Sequence, residues 1–271
     1  SDEVEDPFGT EYAMDNLIAE YPKPYVAMMN GIVMGGGMGL SVHGSHRIVT
    51  ETTVMAMPET AIGFFTDVGA SYFLPRVTRG AGAAIDDDAA RRESLAVARY
   101  LGLGGVRITG ADAIALGLAD VFIDSSDVDA FVETVTTDGV DAAVQKYSKD
   151  APESEFPARW DEIVTTYGAD TLEEVVRNAG SDLDGMSPTS LARVFELLTK
   201  GSEDDDVVSC LERELRMAED TAVGHDFIEG VRAMVVDKDK TPQWEPATAA
   251  EVDEDRIRAL VSEKSELPIR V

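Results

Sequence analysis

The segment that most restricts this chain runs from Tyr25 to Val42, which carries no charged residue and contains five glycines, Gly31, Gly35, Gly36, Gly37 and Gly39. Its length is roughly the minimum for a membrane-spanning helix. Each interior glycine, however, costs a helix about 1 kcal/mol relative to alanine, and Asn30 and Ser41 interrupt the apolar run further. The stretch therefore reads as a buried strand over Tyr25–Met29, a glycine turn and a helix starting near Gly37. Nothing at the start of the chain has a basic run followed by an apolar run, so neither a secretory signal nor membrane attachment is expected.

That strand-turn-helix unit sets the class of the first half. From Lys23 to Ile123, short apolar runs such as Tyr25–Met29 and Arg47–Val49 alternate with glycine-rich turns and helical periods, the pattern of an α/β core. After Asp124 helical periodicity dominates, with helices expected over Asp127–Lys146, Ala158–Tyr167, Thr171–Asn178, Ser187–Thr199, Val207–Ala222, His225–Val236 and Glu251–Ser262. The division is placed as an α/β core over 1–125 and a mostly helical region over 126–271. Ser187-Pro188 has the form of an N-cap followed by proline in the first helical position. Ala84–Arg92, with three consecutive aspartates, reads as a surface insertion that lengthens a helix. Ser1–Thr10 is polar and acidic, and a helix follows at once around Glu11–Leu17. So few strands precede the glycine segment that an N-terminal part of the core is expected to be absent from this sequence.

Composition narrows the partners. Fifty-two acidic residues stand against 23 basic ones in 271, a formal net charge of −29, which would repel a nucleic-acid backbone and fits a solvated, salt-adapted surface. Cys210 is the only cysteine, so no intramolecular disulfide can form, and a cytoplasmic location is the default. Cys210 sits in the apolar run Val207-Val-Ser-Cys-Leu211 and reads as a buried, inert thiol.

Two segments carry candidate chemistry. In Asn30–Leu40 a strand runs into consecutive glycines, which allow close backbone approach, and the following helix N-terminus aims free N–H groups at an anion or oxyanion. Tight strand-to-helix packing is the purely structural alternative. The dinucleotide fingerprint fails because Leu40 occupies its last glycine position, and a P-loop fails because no Lys follows. Gly39-Leu-Ser41-Val-His43-Gly44 is one residue too long for a nucleophile elbow, so Ser41 is expected inside a helix. His43 and His46 are three apart but lack a third ligand nearby, and no metal site is expected. The second segment, Met55–Gly69, holds Glu59 and Asp67 among Met, Pro, Ile and Phe with no basic neighbour. Such acids should feel desolvation that raises their pKa toward values useful in acid-base catalysis, although each could instead be a helix cap.

Taken together, Asn30–Gly44 and Ala56–Arg76, with Thr109–Asp120, Ser187–Leu191, Gly224–Arg232 and Pro242–Pro246, resemble the crotonase (enoyl-CoA hydratase/isomerase) superfamily and its 3-hydroxyisobutyryl-CoA hydrolase branch. The resemblance implies a ClpP-like ββα spiral core. It also implies hydrolysis of a 3-hydroxyacyl-CoA thioester, yielding 3-hydroxyisobutyrate and CoA in valine catabolism, with no cofactor beyond the CoA of the substrate. Gly36 matches one donor of the family's backbone oxyanion hole, with Gly35 beside it, while the other donor belongs to an upstream segment that this sequence lacks. Glu59 and Asp67 match the branch's catalytic carboxylates. Glu59 would attack the thioester or activate water, and Asp67 would orient the hydroxyacyl group or pass a proton. Glu11, by itself an ordinary surface acid, matches a glutamate near the acyl pocket. Gly39 stands where hydratases of the family carry a glutamate, which disfavours addition of water to a double bond. Thr66 and Ala70 depart from the family's usual Pro and Gly around Asp67, and Thr66 is expected to loosen that turn. The resemblance further implies a homo-oligomer through the C-terminal helices. An enoyl-CoA hydratase or isomerase and a non-catalytic CoA-ester-binding protein are the alternatives.

Overall fold

The computed structural model describes residues 7–266. The first helix, α1 (Pro7–Ala19), starts earlier than the sequence pattern suggests, taking Pro7 in its first turn; the rest of the acidic start, residues 1–6, lies outside the described residues. Strand β1 (Val26–Met29), strand β2 (Ile32–Met34) and helix α2 (Gly36–Val42) then replace the uncharged stretch. Among the described residues no helix is long and apolar enough to cross a membrane.

A corner at Asn30-Gly31, where Gly31 takes φ 119°, turns β1 into β2. A second corner at Thr50–Thr53 turns β3 (His46–Val49) into β4 (Val54–Ala56) in the same way. The corners stack: the Asn30 side chain accepts from the Thr50 and Thr52 hydroxyls at 2.8 and 2.7 Å, and Val54 N–H donates to the Gly31 carbonyl at 2.8 Å. Strand therefore lies on equivalent strand. β1 pairs with β3 in parallel, Val26 opposite His46 and Met29 opposite Val49, and β2 pairs with β4, Ile32 opposite Val54. Helix α3 (Ala70–Phe73), the long α4 (Asp88–Gly104), β5 (Ile108–Thr109), α5 (Gly110–Ala115) and β6 (Val121–Phe122) complete two three-stranded sheets, β1-β3-β6 and β2-β4-β5. Within these two sheets the β4–β5 pairing is antiparallel and the others are parallel.

All six strands among the described residues precede Ile123, and helices follow: α6 (Val128–Asp138), α7 (Val140–Tyr147), α8 (Phe156–Tyr167), α9 (Leu172–Ala179), α10 (Pro188–Gly201), α11 (Val207–Ala222), α12 (His225–Val231) and α13 (Glu254–Ser262). Three expected helices are shorter than their periodicity, Glu251–Ser262 among them, since α13 starts at Glu254. Gly139, at φ 94°, breaks Asp127–Lys146 into α6 and α7, and α12 passes into a π-helical turn over Arg232–Val236. The Ser187 cap follows its sequence signal, its hydroxyl accepting from Ser190 N–H, and the Asp206 carboxylate caps α11 by accepting from Ser209 N–H.

The first sheet is covered on both sides, as parallel strands require. Ile48 faces a small cluster with Ile123, Phe131 and Ala143, which α6 and α7 cover, whereas its neighbour Val49 points into the main core. That core runs without interruption from Tyr12 to Val261, so helices α8, α10, α11 and α13 share it with the strands.

Candidate active site

The corner that ends β2 delivers the glycines. Gly35 caps α2 with φ 52°, a left-handed conformation that glycine adopts freely, and Gly36 opens the helix one residue earlier than expected. The N–H of Gly35 is already used, donating to the Ala56 carbonyl at 3.2 Å. Gly35 is therefore not an N–H donor to a ligand. The N–H groups of Gly36 and Gly37 belong to the first turn of α2, which no preceding helical carbonyl reaches. All three glycines are half-buried.

Absence of side chains lets acids close in. A β-carbon on Gly35 would meet Glu59 Oε1 at 2.7 Å, one on Gly36 would meet Glu11 Oε1 at 2.5 Å, and one on Gly39 would meet Asp15 Oδ1 at 2.7 Å. Glu59 starts the 3₁₀ turn Glu59–Ile62 and is 8% exposed; its Oε2 has no hydrogen-bond partner. That turn is backed by α12, where the backbones of Gly63 and Asp226, and of Gly230 and Ile62, approach too closely for any side chain. Asp226 is itself held by Ser187 Oγ at 2.5 Å and Glu245 N–H at 2.9 Å. The C-terminal motifs thus form the wall behind Glu59.

Asp67 lies on the next turn, where Val68 takes φ 55° and Gly69 φ 81°. The Tyr12 hydroxyl donates to Asp67 Oδ2 at 2.7 Å. Thr66 does not loosen this turn: its hydroxyl donates to the Gly102 carbonyl at 3.1 Å and ties it to α4. Ala70 fits without strain, fully buried with its N–H on the Asp67 carbonyl at 2.9 Å. His43 and Cys210 play structural parts. His43 Nε2 donates to the Val68 carbonyl at 2.8 Å, since a carbonyl can only accept, and burial lowers the ring's pKa, which favours the neutral form. Burial pushes the Cys210 thiol up, out of the reactive range. Ser41 lies inside α2 with its hydroxyl on the Gly37 carbonyl at 2.7 Å.

Electrostatically this is a cluster of acids, and among the described residues no Lys or Arg forms an ion pair with Glu11, Asp15, Glu59 or Asp67. Burial raises the Glu59 carboxyl well above its usual range. Burial raises Asp67 also, and the nearby Glu59 charge adds to the effect. Asp15, fully buried with neither oxygen partnered, is pushed up to about 8 by burial and then by Glu11 and Glu214. Glu214, on α11, is raised to about 7 by burial, although three hydrogen bonds from Gly69 and Ser71 oppose the rise. Such shifts suit groups that exchange protons near neutral pH. The structure thus brings Glu11, Glu59 and Asp67 together with Gly36, and adds Tyr12, Asp15 and Glu214. Tyr12 and Asp15 could have been found from the stripe of α1 that also holds Glu11. For Glu214 the signal is its place among Cys210, Leu211, Leu215 and Ala218 on the apolar face of α11. Among the described residues no group of His, Cys, Asp and Glu is arranged to hold a metal ion.

Residues 1–261 match the family model of enoyl-CoA hydratase/isomerase. Curated relatives include the mitochondrial 3-hydroxyisobutyryl-CoA hydrolases of Mus musculus, 36% identical over 93% of this chain and 67% of their own length, and of Dictyostelium discoideum, 34% identical over 93% and 67%. Among solved structures, a carnitinyl-CoA dehydratase from Mycobacterium thermoresistibile superposes with a TM-score of 0.82 at 35% identity, covering 94% of this chain and 73% of that one. An enoyl-CoA hydratase from Rhodobacter sphaeroides gives 0.80 at 31% identity, with the same shares.

Proposed function

From the chain's membership of the enoyl-CoA hydratase/isomerase family, we propose that it hydrolyses a 3-hydroxyacyl-CoA thioester, 3-hydroxyisobutyryl-CoA above all, to the free acid and CoA. The observation that carries this reading is Glu59: a nearly buried carboxylate with one oxygen unpartnered, set against Gly35 at the N-terminus of α2. The hydrolase names of the curated relatives support it.

In this reading the thioester carbonyl oxygen lies against the Gly36 N–H, where the first-turn amides and the helix dipole stabilise negative charge. Glu59 either takes a proton from water, whose oxygen then adds to the carbonyl carbon, or adds directly to give an anhydride that water cleaves. By both routes the carbon–sulfur bond breaks, the thiolate leaves and is protonated, and one water is consumed. Asp67, held by Tyr12, orients the acyl hydroxyl or relays the proton. Glu11, beside Gly36, borders the acyl group. Gly35 makes room for Glu59 rather than donating to the oxyanion.

The hydratase reading is kept because the two well-superposing structures are titled as a hydratase and a dehydratase. Gly39 argues against it here, since it presents no acid and a β-carbon at its position would collide with Val68 and Asp15. A cytoplasmic location fits the unpaired Cys210, although the curated relatives are named as mitochondrial. Assembly through the C-terminal helices remains part of the proposal, with Val223, Ile228, Val235 and Val236 exposed there. The deciding experiment follows free thiol from 3-hydroxyisobutyryl-CoA and ultraviolet absorbance from crotonyl-CoA. Thiol release with steady crotonyl absorbance is expected; absorbance loss without thiol would replace hydrolase by hydratase, and inertness toward both would leave a CoA-ester-binding role.

A further inference from the structure

We propose that Glu214, which lies in the helical part and belongs to none of the motifs that carry the family resemblance, is a positioning residue that aims Asp67 by gripping the turn that follows it. Glu214 Oε2 accepts the Gly69 N–H at 2.6 Å, and Oε1 accepts both the Ser71 N–H at 3.0 Å and the Ser71 hydroxyl at 2.5 Å. The side chain is fully buried. A carboxylate taken out of water is retained only where donors replace its hydration, and here two backbone amides and a hydroxyl converge on it.

The peptide between Val68 and Gly69 shows what the grip accomplishes. Its carbonyl accepts from His43 Nε2 at 2.8 Å while its N–H donates to Glu214, so the same peptide plane is fixed from both ends. Val68 is a β-branched residue at φ 55°, a conformation such residues rarely adopt without outside constraint. With that plane locked one residue beyond Asp67, the Asp67 carboxyl is directed to the Tyr12 hydroxyl at 2.7 Å instead of swinging with the loop. No ordinary packing contact would do this. Glutamine at 214 keeps the volume but turns an NH₂ toward groups that are themselves donors.

The inference rests on the hydrolase reading for its kinetic consequence but not for its structural one, and the test separates the two. Thiol release from 3-hydroxyisobutyryl-CoA is measured for the full chain and for Glu214→Gln, with thermal melting to confirm folding and amide hydrogen exchange of the peptide over residues 66–73. In the folded variant kcat should fall about 10²-fold, the scale of a misplacement near 1 Å, with KM within about threefold. Exchange over 66–73 should quicken while the strands keep their protection. A folded Glu214→Gln with kcat within about threefold of the parent overturns the proposal. If the parent itself releases no thiol, the hydrolase reading fails, and unchanged exchange over 66–73 then overturns the positioning role while faster exchange supports it. Should Glu214→Gln not fold, Ser71→Ala removes one of the three donors more gently. It should lower kcat several-fold and quicken the same peptide, and no change in either overturns the proposal.

Discussion

The acids around the glycine corner and the arginines of the helical part treat buried charge in opposite ways. Around the glycine corner, Glu59, Asp67 and Asp15 are nearly or fully buried with no basic residue paired to any of them. In the helical part, buried arginines are matched: Arg213 meets Asp204 at 2.5 Å and adds the Val261 carbonyl at 2.9 Å, and Arg193 meets Asp220 at 2.7 Å. A paired charge lowers the cost of its own burial; an unpaired one stays costly, and its proton affinity rises instead. The difference marks one group of acids as kept for chemistry and the other as fastening helices together.

Four measurements would break or sharpen that contrast. Glu59→Gln should lower thiol release about 10³-fold, within the range for loss of a positioned base or nucleophile, without lowering the melting temperature, because the amide carries no charge to desolvate. A large loss of stability would place Glu59 among the structural acids. Arg213→Met should do the reverse and cost about 3–5 kcal/mol in chemical denaturation, since Asp204 would be left without its partner. Tyr12→Phe removes the one side-chain donor to Asp67 among the described residues, and kcat should fall about tenfold, the worth of a hydrogen bond to a charged group.

The smallest effect is in pH. Asp15 rises from its usual 3.8 to about 8 and Glu214 from 4.5 to about 7. The folded chain therefore holds protons that the unfolded chain has released between those values. The stability they contribute is complete below about pH 4 and is lost as pH climbs toward 8. Melting temperature should fall between pH 5 and pH 8, and Asp15→Asn should flatten the slope. A profile that rises across that interval would show that these acids are ionised and compensated by partners.

Much of this was legible before any coordinates. The five glycines of Tyr25–Val42 excluded a continuous helix and marked a strand, a turn and a helix start, although they do not mark the second strand β2 between turn and helix; Glu59 and Asp67 were conspicuous as acids among apolar residues. Local chemistry also set Ser187 as a cap. Residue types determine such features within a few positions of themselves, so spacing suffices. Other features depended on groups brought together from distant parts of the chain. Gly35 stood beside the matched donor Gly36, but only the strand next to it shows that its own N–H is taken by the Ala56 carbonyl. Thr66 looked like a loosened turn until Gly102 supplied an acceptor. Glu214 reaches Gly69 across 145 positions of sequence. Helix α11 could place a carboxylate on its apolar face by periodicity alone, but only the packed structure decided that three donors would be waiting there. Hydrogen bonds between distant segments are set by how whole helices pack, and no local pattern encodes that.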